Sequence, residues 1–174
     1  LLKLSQKEMQ SIRGNEIAMI FQEPMTSLNP IHTCGNQIME PLVLHGLMKK
    51  KKAIAESIEL LSKVGIRNPD QIAKSFPHQL SGGRRQRVMI AMALACSPKL
   101  LIADEPTTSL DVTIEAQIIS LMKQLKQKIG AGIIMISHNL ALMSQVCDRI
   151  IVMYCGRIVE EGSVTSLLKN PKHP

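Results

Sequence analysis

Three apolar runs in this sequence stop at polar residues suited to phosphate chemistry. "KLLIA" (Lys99 to Ala103) runs into Asp104 and Glu105. One carboxylate there could hold Mg²⁺ through its waters, because Mg²⁺ prefers oxygen ligands and keeps much of its hydration. The neighbouring carboxylate points elsewhere and could polarise an attacking water. The plainer alternative is an Asp-Glu-Pro turn leaving a strand. Ile133 to Ile136 leads to His138, and a lone histidine is more often a helix cap or a packed ring than a catalyst. "EIAMIF" (Glu16 to Phe21) ends at Gln22, whose neutral amide could orient water or complete a metal shell, though many loop glutamines do neither. The three strand ends together carry the functional reading, since open parallel sheets bind ligands at the carboxyl ends of their strands.

A fourth feature is "SGG", Ser81 to Gly83, at the mouth of an apolar-striped helix. Bare amides at a helix start attract anions, phosphate above all. An N-cap serine followed by flexible glycines is the structural alternative. A cap alone needs no glycine pair in the first turn, where each costs about 1 kcal/mol relative to Ala. Close approach of a ligand to the backbone would account for that cost.

The elements that must position these groups alternate between strand and helix. Short apolar strands are predicted at 16–21, 99–103 and 133–136, and "RIIVMY" (Arg149 to Tyr154) turns at Gly156 into a hairpin partner, "RIVEEG". Between the first two strands lies helical pattern only, from about Thr33 to Gly65 and from Ser81 to Cys96, with breaks at Pro69 and Pro77. Asp111 reads as the N-cap of a helix reaching Ile129, with Glu115 in its first turn. Fully apolar strands alternating with helices imply an α/β fold with a mostly parallel sheet covered on both faces. Residues 31–97 then form a helical insertion.

The 174 residues suit one ordinary domain with a real core. Aromatics are 2%, so Ile, Leu, Val, Ala and the 11 Met must fill that core, and base-stacking nucleic-acid modules are disfavoured. The net charge of +7 draws on Lys49 to Lys52 and on Arg84, Arg85 and Arg87. Such an excess can meet nucleic acid or an anionic membrane, although a lysine run is more often a solvated helix face. Cys34, Cys96, Cys147 and Cys155 form no C-x-x-C pair and read as reduced core thiols of a cytosolic protein. The longest apolar run, Val88 to Cys96, is far short of the ~20 residues of a membrane span. No signal peptide opens the chain, and its start at Leu1 suggests a missing amino terminus.

"LSGG", then "LLIADEPTTSLD", then "ISHNLALMSQVCDRIIVMYCGRIVEEG" strongly resemble the nucleotide-binding subunit of ATP-binding cassette (ABC) transporters over essentially the whole chain. "IAMIFQEPMTSLNP" and "NPKHP" look most like the ATPases of bacterial dipeptide and oligopeptide importers, with nickel importers close behind. The resemblance implies a P-loop NTPase-like (RecA-like) core, 1–30 and 98–174, with a helical subdomain at 31–97 that ends in the signature helix. It implies ATP and Mg²⁺ as cofactors. Gln22 becomes the Q-loop glutamine near Mg²⁺ and the attacking water. Ser81, Gly82 and Gly83 belong to the signature motif, Asp104 is the Mg²⁺ ligand and Glu105 the general base. Asp111 lies in the D-loop at the dimer interface, and His138 is the switch histidine at the γ-phosphate. The implied partners are transmembrane permease subunits, a second ATPase subunit bound head to tail and, indirectly, a solute-binding protein, at the cytoplasmic face of the membrane and without nucleic acid.

The chain departs from the family pattern twice. Arg84 stands where the signature usually has Gln; it opposes the helix dipole yet favours bound phosphate. No G-x-x-x-x-G-K-[ST] occurs anywhere, and in the family that P-loop precedes the region where this chain starts. The adenine-stacking aromatic is missing with it, and the carboxyl end stops at "KHP". On this reading the chain alone binds ATP poorly and hydrolyses almost none. The alternatives are a cassette ATPase acting on nucleic acid or in translation, and a catalytically degenerate signature donor to a partner subunit.

Overall fold

The structure is a computed structural model describing residues 1–108 and 110–173, with Lys128 and Ile129 described by backbone alone. It divides into two compact units, Leu1–Ile136 and Ser137–Pro174.

The first unit opens with α1 (Gln6–Ile12), started by a reciprocal Ser5–Glu8 capping box. Strand β1 (Ile17–Ile20) follows, and then five α-helices and a short 3-10 helix (Pro77–Gln79) with no strand between them. The α-helices are α2 (Pro24–Ser27), α3 (Cys34–Leu44), α4 (Lys50–Lys63), α5 (Pro69–Lys74) and α6 (Gly82–Leu94). The Thr33 hydroxyl caps α3 by accepting from the Asn36 amide. Apolar positions at helical spacing form the core of this region: Ile38 and Leu42 on α3, Ala53 and Leu61 on α4, and Val88 to Ala91 on α6 are buried.

Strand β2 (Leu100–Asp104), helix α7 (Val112–Ile129) and strand β3 (Gly132–Ile136) complete the unit. The sheet is parallel with order β1-β2-β3. Its register aligns Ile20 with Ala103 and Ala103 with Met135, so the three strands end level. Ala18, Ile20, Leu101, Ala103 and Met135 lie on one face and are buried, with α6 packed on β1. Cover of the other face is less complete than fully apolar strands suggest: Leu100 and Ile102 are half-buried, and Ile134 and Ile136 are about half exposed.

The second unit holds α8 (Leu140–Val146), an antiparallel hairpin of β4 (Arg149–Tyr154) and β5 (Arg157–Ser163), and α9 (Val164–Lys169). Tyr154 pairs with Arg157 across a two-residue turn, Cys155-Gly156, in which both φ values are positive (48° and 76°). That is a type I′ turn, whose twist matches the strands it joins. It places Cys155 at an exposed tip, so the core-thiol reading fails there, although Cys34 is fully buried. All four cysteines are free thiols.

Candidate functional site

Level strand ends bring two of the sequence-predicted residues together. Two positions past the aligned pair Ile20 and Ala103 stand Gln22 and Glu105, and Gln22 Nε2 donates to Glu105 Oε2 at 3.0 Å. The same oxygen accepts from Thr108 Oγ1 at 2.7 Å. The Glu105 amide donates to the carbonyl of Ile136 at 2.9 Å, which ties this residue to the end of β3. Its φ of +43° lies in the left-handed region, a conformation that costs a non-glycine residue on the order of 1–2 kcal/mol. Backbone twist and two donors on one oxygen therefore hold this carboxylate in a set direction.

Asp104, the last residue of β2, shares the half-covered sheet face with Ile102 and is half-buried. Among the described residues no donor bonds its carboxylate, and no group of three His, Cys, Asp or Glu is placed to cage a metal. A single half-buried carboxylate suits Mg²⁺, which takes one or two protein oxygens and fills its shell with water and phosphate.

The mouth of α6 is built differently. Ser81 occupies the N-cap in extended conformation, but its hydroxyl makes no capping bond. The first amide bonded back along the helix is that of Arg85, to the Ser81 carbonyl at 3.0 Å. The amides of Gly82, Gly83 and Arg84 therefore have no helical acceptor, and Ser81, Gly82 and Arg84 are exposed. Gly83 has an internal reason as well: a Cβ there would lie 2.7 Å from Ile114 Cγ2 of α7. A Cβ on Gly82 would meet only Leu110, at 3.7 Å. The α6 mouth thus packs against residues flanking Asp111, whose carboxylate caps α7 by accepting from the Ile114 amide at 2.9 Å.

His138 lies in the second unit, exposed, just before α8. The turn around it is ordered by its neighbours: Asn139 Oδ1 accepts from the Leu142 amide at 3.2 Å, and Ser137 Oγ accepts from the Asn139 amide at 3.1 Å.

Sequence reasoning missed two residues. Thr108 grips Glu105, and Gln86, 1% exposed on α6, donates to the Pro106 carbonyl at 2.7 Å. That bond joins α6 to the loop carrying Glu105. A glutamine among Val88, Met89 and Ile90 on a helix's buried side was the available signal. Two of the arginines counted in the net charge are tied to backbone carbonyls. Arg85 Nε donates to the Pro77 carbonyl at 2.8 Å, and Arg87 bonds the Val64 carbonyl and Gln117 Oε1. Separately, a groove of about 390 Å³ opens on α3 and the start of α4, and none of the predicted site residues lines it.

The arrangement has close parallels. The chain is 54% identical over its full length to the probable peptide ABC transporter ATP-binding protein y4tR of Sinorhizobium fredii, covering 52% of that protein. It is 56% identical to the oligopeptide transport ATP-binding protein AppD of Bacillus subtilis, over 99% of this chain and 55% of the relative. It spans about half the length of these curated relatives. Among solved structures, the dimeric post-hydrolysis state of the ATP-binding cassette MJ0796, bound to ADP and Pi, superposes with a TM-score of 0.81 at 30% identity, over 93% of this chain and 68% of that one. The fold is accordingly that of the ABC ATPase cassettes, a P-loop NTPase fold. With the ABC transporter family model matching residues 2–108, well over half of its length, the chain belongs to the ABC transporter family.

Proposed function

We propose that this chain belongs to the ATP-binding and ATP-hydrolysing subunit of a bacterial importer of dipeptides or oligopeptides, and that by itself it is weakly active or inactive. The observation that carries this reading is the bond from Gln22 to Glu105 at neighbouring strand ends, with Asp104 one residue before. Asp104 would hold Mg²⁺, and the ion when bound would neutralise charge on the phosphates. Glu105, oriented by Gln22 and Thr108, polarises the attacking water as general base. His138 is read as the switch histidine for the γ-phosphate.

Ser81, Gly82 and Gly83 offer amides and a hydroxyl to nucleotide held by a second ATPase subunit, bound head to tail, with Asp111 at that interface. Residues 31–97 form the helical subdomain, and 1–30 with 98–174 belong to the RecA-like core. Permease subunits receive the motion at the cytoplasmic face of the membrane, and a solute-binding protein delivers the cargo. The names of the relatives that are 54% and 56% identical support peptide as that cargo.

The test is Mg²⁺-dependent ATP hydrolysis by the intact protein. Removing the base in Glu105→Gln lowers turnover roughly a hundred-fold or more, while equilibrium binding of ATP persists. Full turnover in that variant would overturn the assignment.

A further inference from the structure

Three consecutive side chains of α6 each donate to a backbone carbonyl in a different segment. Arg85 Nε bonds Pro77 at 2.8 Å, Gln86 Nε2 bonds Pro106 at 2.7 Å, and Arg87 bonds Val64 at the C-cap of α4. The outer two fix where α6 sits among the helices. The middle one, 1% exposed, carries that position into the loop after β2. So deep a bond is strong, because no water competes for the carbonyl.

The loop it reaches is strained. Glu105 has φ +43° and precedes a proline, which pushes the residue before it toward extended backbone. Such a conformation persists only where its surroundings over-determine it. The Glu105 amide bonds the Ile136 carbonyl at 2.9 Å, and the Thr108 amide closes a turn on the Glu105 carbonyl at 3.1 Å. Pro106 holds the second position of that turn, so its carbonyl belongs to the turn's central peptide unit. Because that unit is planar, a donor on the carbonyl sets the plane of the turn. The same turn brings the Thr108 hydroxyl to Glu105 Oε2.

We propose that Gln86 is a positioning residue for Glu105: through the Pro106 carbonyl it makes the direction of this carboxylate depend on the seating of α6. This role rests on the reading of Glu105 as general base, and it makes that base conditional on the helix whose mouth is offered to a second subunit's nucleotide. If the bond served folding alone, kcat per folded molecule and its pH profile would not move with it.

The test compares the intact protein with two variants. Gln86→Met keeps the length of the side chain and loses the donor, and Gln86→Glu donates only when its carboxyl is protonated. In Gln86→Met, kcat for Mg²⁺-dependent ATP hydrolysis, corrected for the folded fraction, falls about ten-fold or more while KM changes by less than about two-fold. In Gln86→Glu, kcat relative to the parent rises as pH falls from about 8 to about 6, since burial raises the pKa of a carboxyl into that range. Hydrogen exchange at the Glu105 and Thr108 amides quickens about ten-fold in Gln86→Met, with exchange within α6 unchanged. Parent-like kcat in Gln86→Met, a Gln86→Glu profile parallel to the parent's, or unchanged exchange at Glu105 and Thr108 overturns the role. Quickening spread equally through α6 also overturns it, by assigning the bond to stability. A parent that hydrolyses no ATP overturns the base assignment instead, and the exchange comparison alone then decides whether Gln86 holds the turn.

Discussion

At the end of β2, Glu105 is anchored from several sides: its amide bonds Ile136, and one carboxylate oxygen takes donors from Gln22 and Thr108. At the mouth of α6, in the same unit, the amides of Gly82, Gly83 and Arg84 have no helical acceptor and the Ser81 hydroxyl caps nothing. The contrast fits the two tasks proposed for these regions. A base must already point at its water, because orientation supplied in advance lowers the barrier. Donors meant for an arriving anion must stay unsatisfied until it comes. Gln86 joins the two regions through Pro106, and Gly83 seats one of them against α7.

Breaking the joint has the largest expected effect. Gln86→Ala leaves the Pro106 carbonyl without its donor and opens a cavity, lowering stability by about 3 kcal/mol. Urea unfolding measures this, and a loss well under about 1 kcal/mol would mean that another contact holds the loop.

The two glycines sharpen the comparison next. Gly83→Ala drives a methyl group into the β-branched Ile114 and should destabilise by about 2 kcal/mol. A second substitution, Ile114→Ala, should recover part of that loss. Gly82→Ala should stay within about 0.5 kcal/mol of the parent, because its Cβ has room. If the two glycines ranked the other way in thermal unfolding, the inward and outward roles assigned to them would be exchanged.

Asp111→Ala removes the α7 cap, for about 1 kcal/mol, and Asp111→Asn should restore most of it. A further test is a pH dependence inside the helical region. Burial pushes the Cys34 thiol from 9.0 up to about 11. The unfolded chain therefore ionises this thiol first as pH rises, and the stability it contributes below pH 9 is lost between 9 and about 11. Cys34→Ala should flatten that part of the pH profile, and an unchanged slope would assign it to other groups. At pH 8 a maleimide should label exposed Cys155 well before Cys34.

Much of the fold was legible along the chain. Apolar runs located every strand to within about two residues, and Asp111 declared itself as a cap because its side chain acts on its own helix. The α6 mouth was legible only in part. Its serine and glycines mark a helix start, but whether the serine caps depends on a rotamer, and the reason for Gly83 lies some thirty residues away in Ile114. Arg85 and Arg87 entered the sequence reading only as net charge, because sequence cannot say which guanidinium will find a carbonyl.

Sequence alone determined the kinds of chemistry available, where each polar group leaves its strand, and which residues must enter a core, since periodicity and turn residues are local properties. Tertiary structure alone decided that Gln22 and Thr108 grip one oxygen of Glu105, and that Gln86 reaches Pro106. Those facts depend on strand register and helix packing, which bring distant parts of the chain within hydrogen-bonding reach.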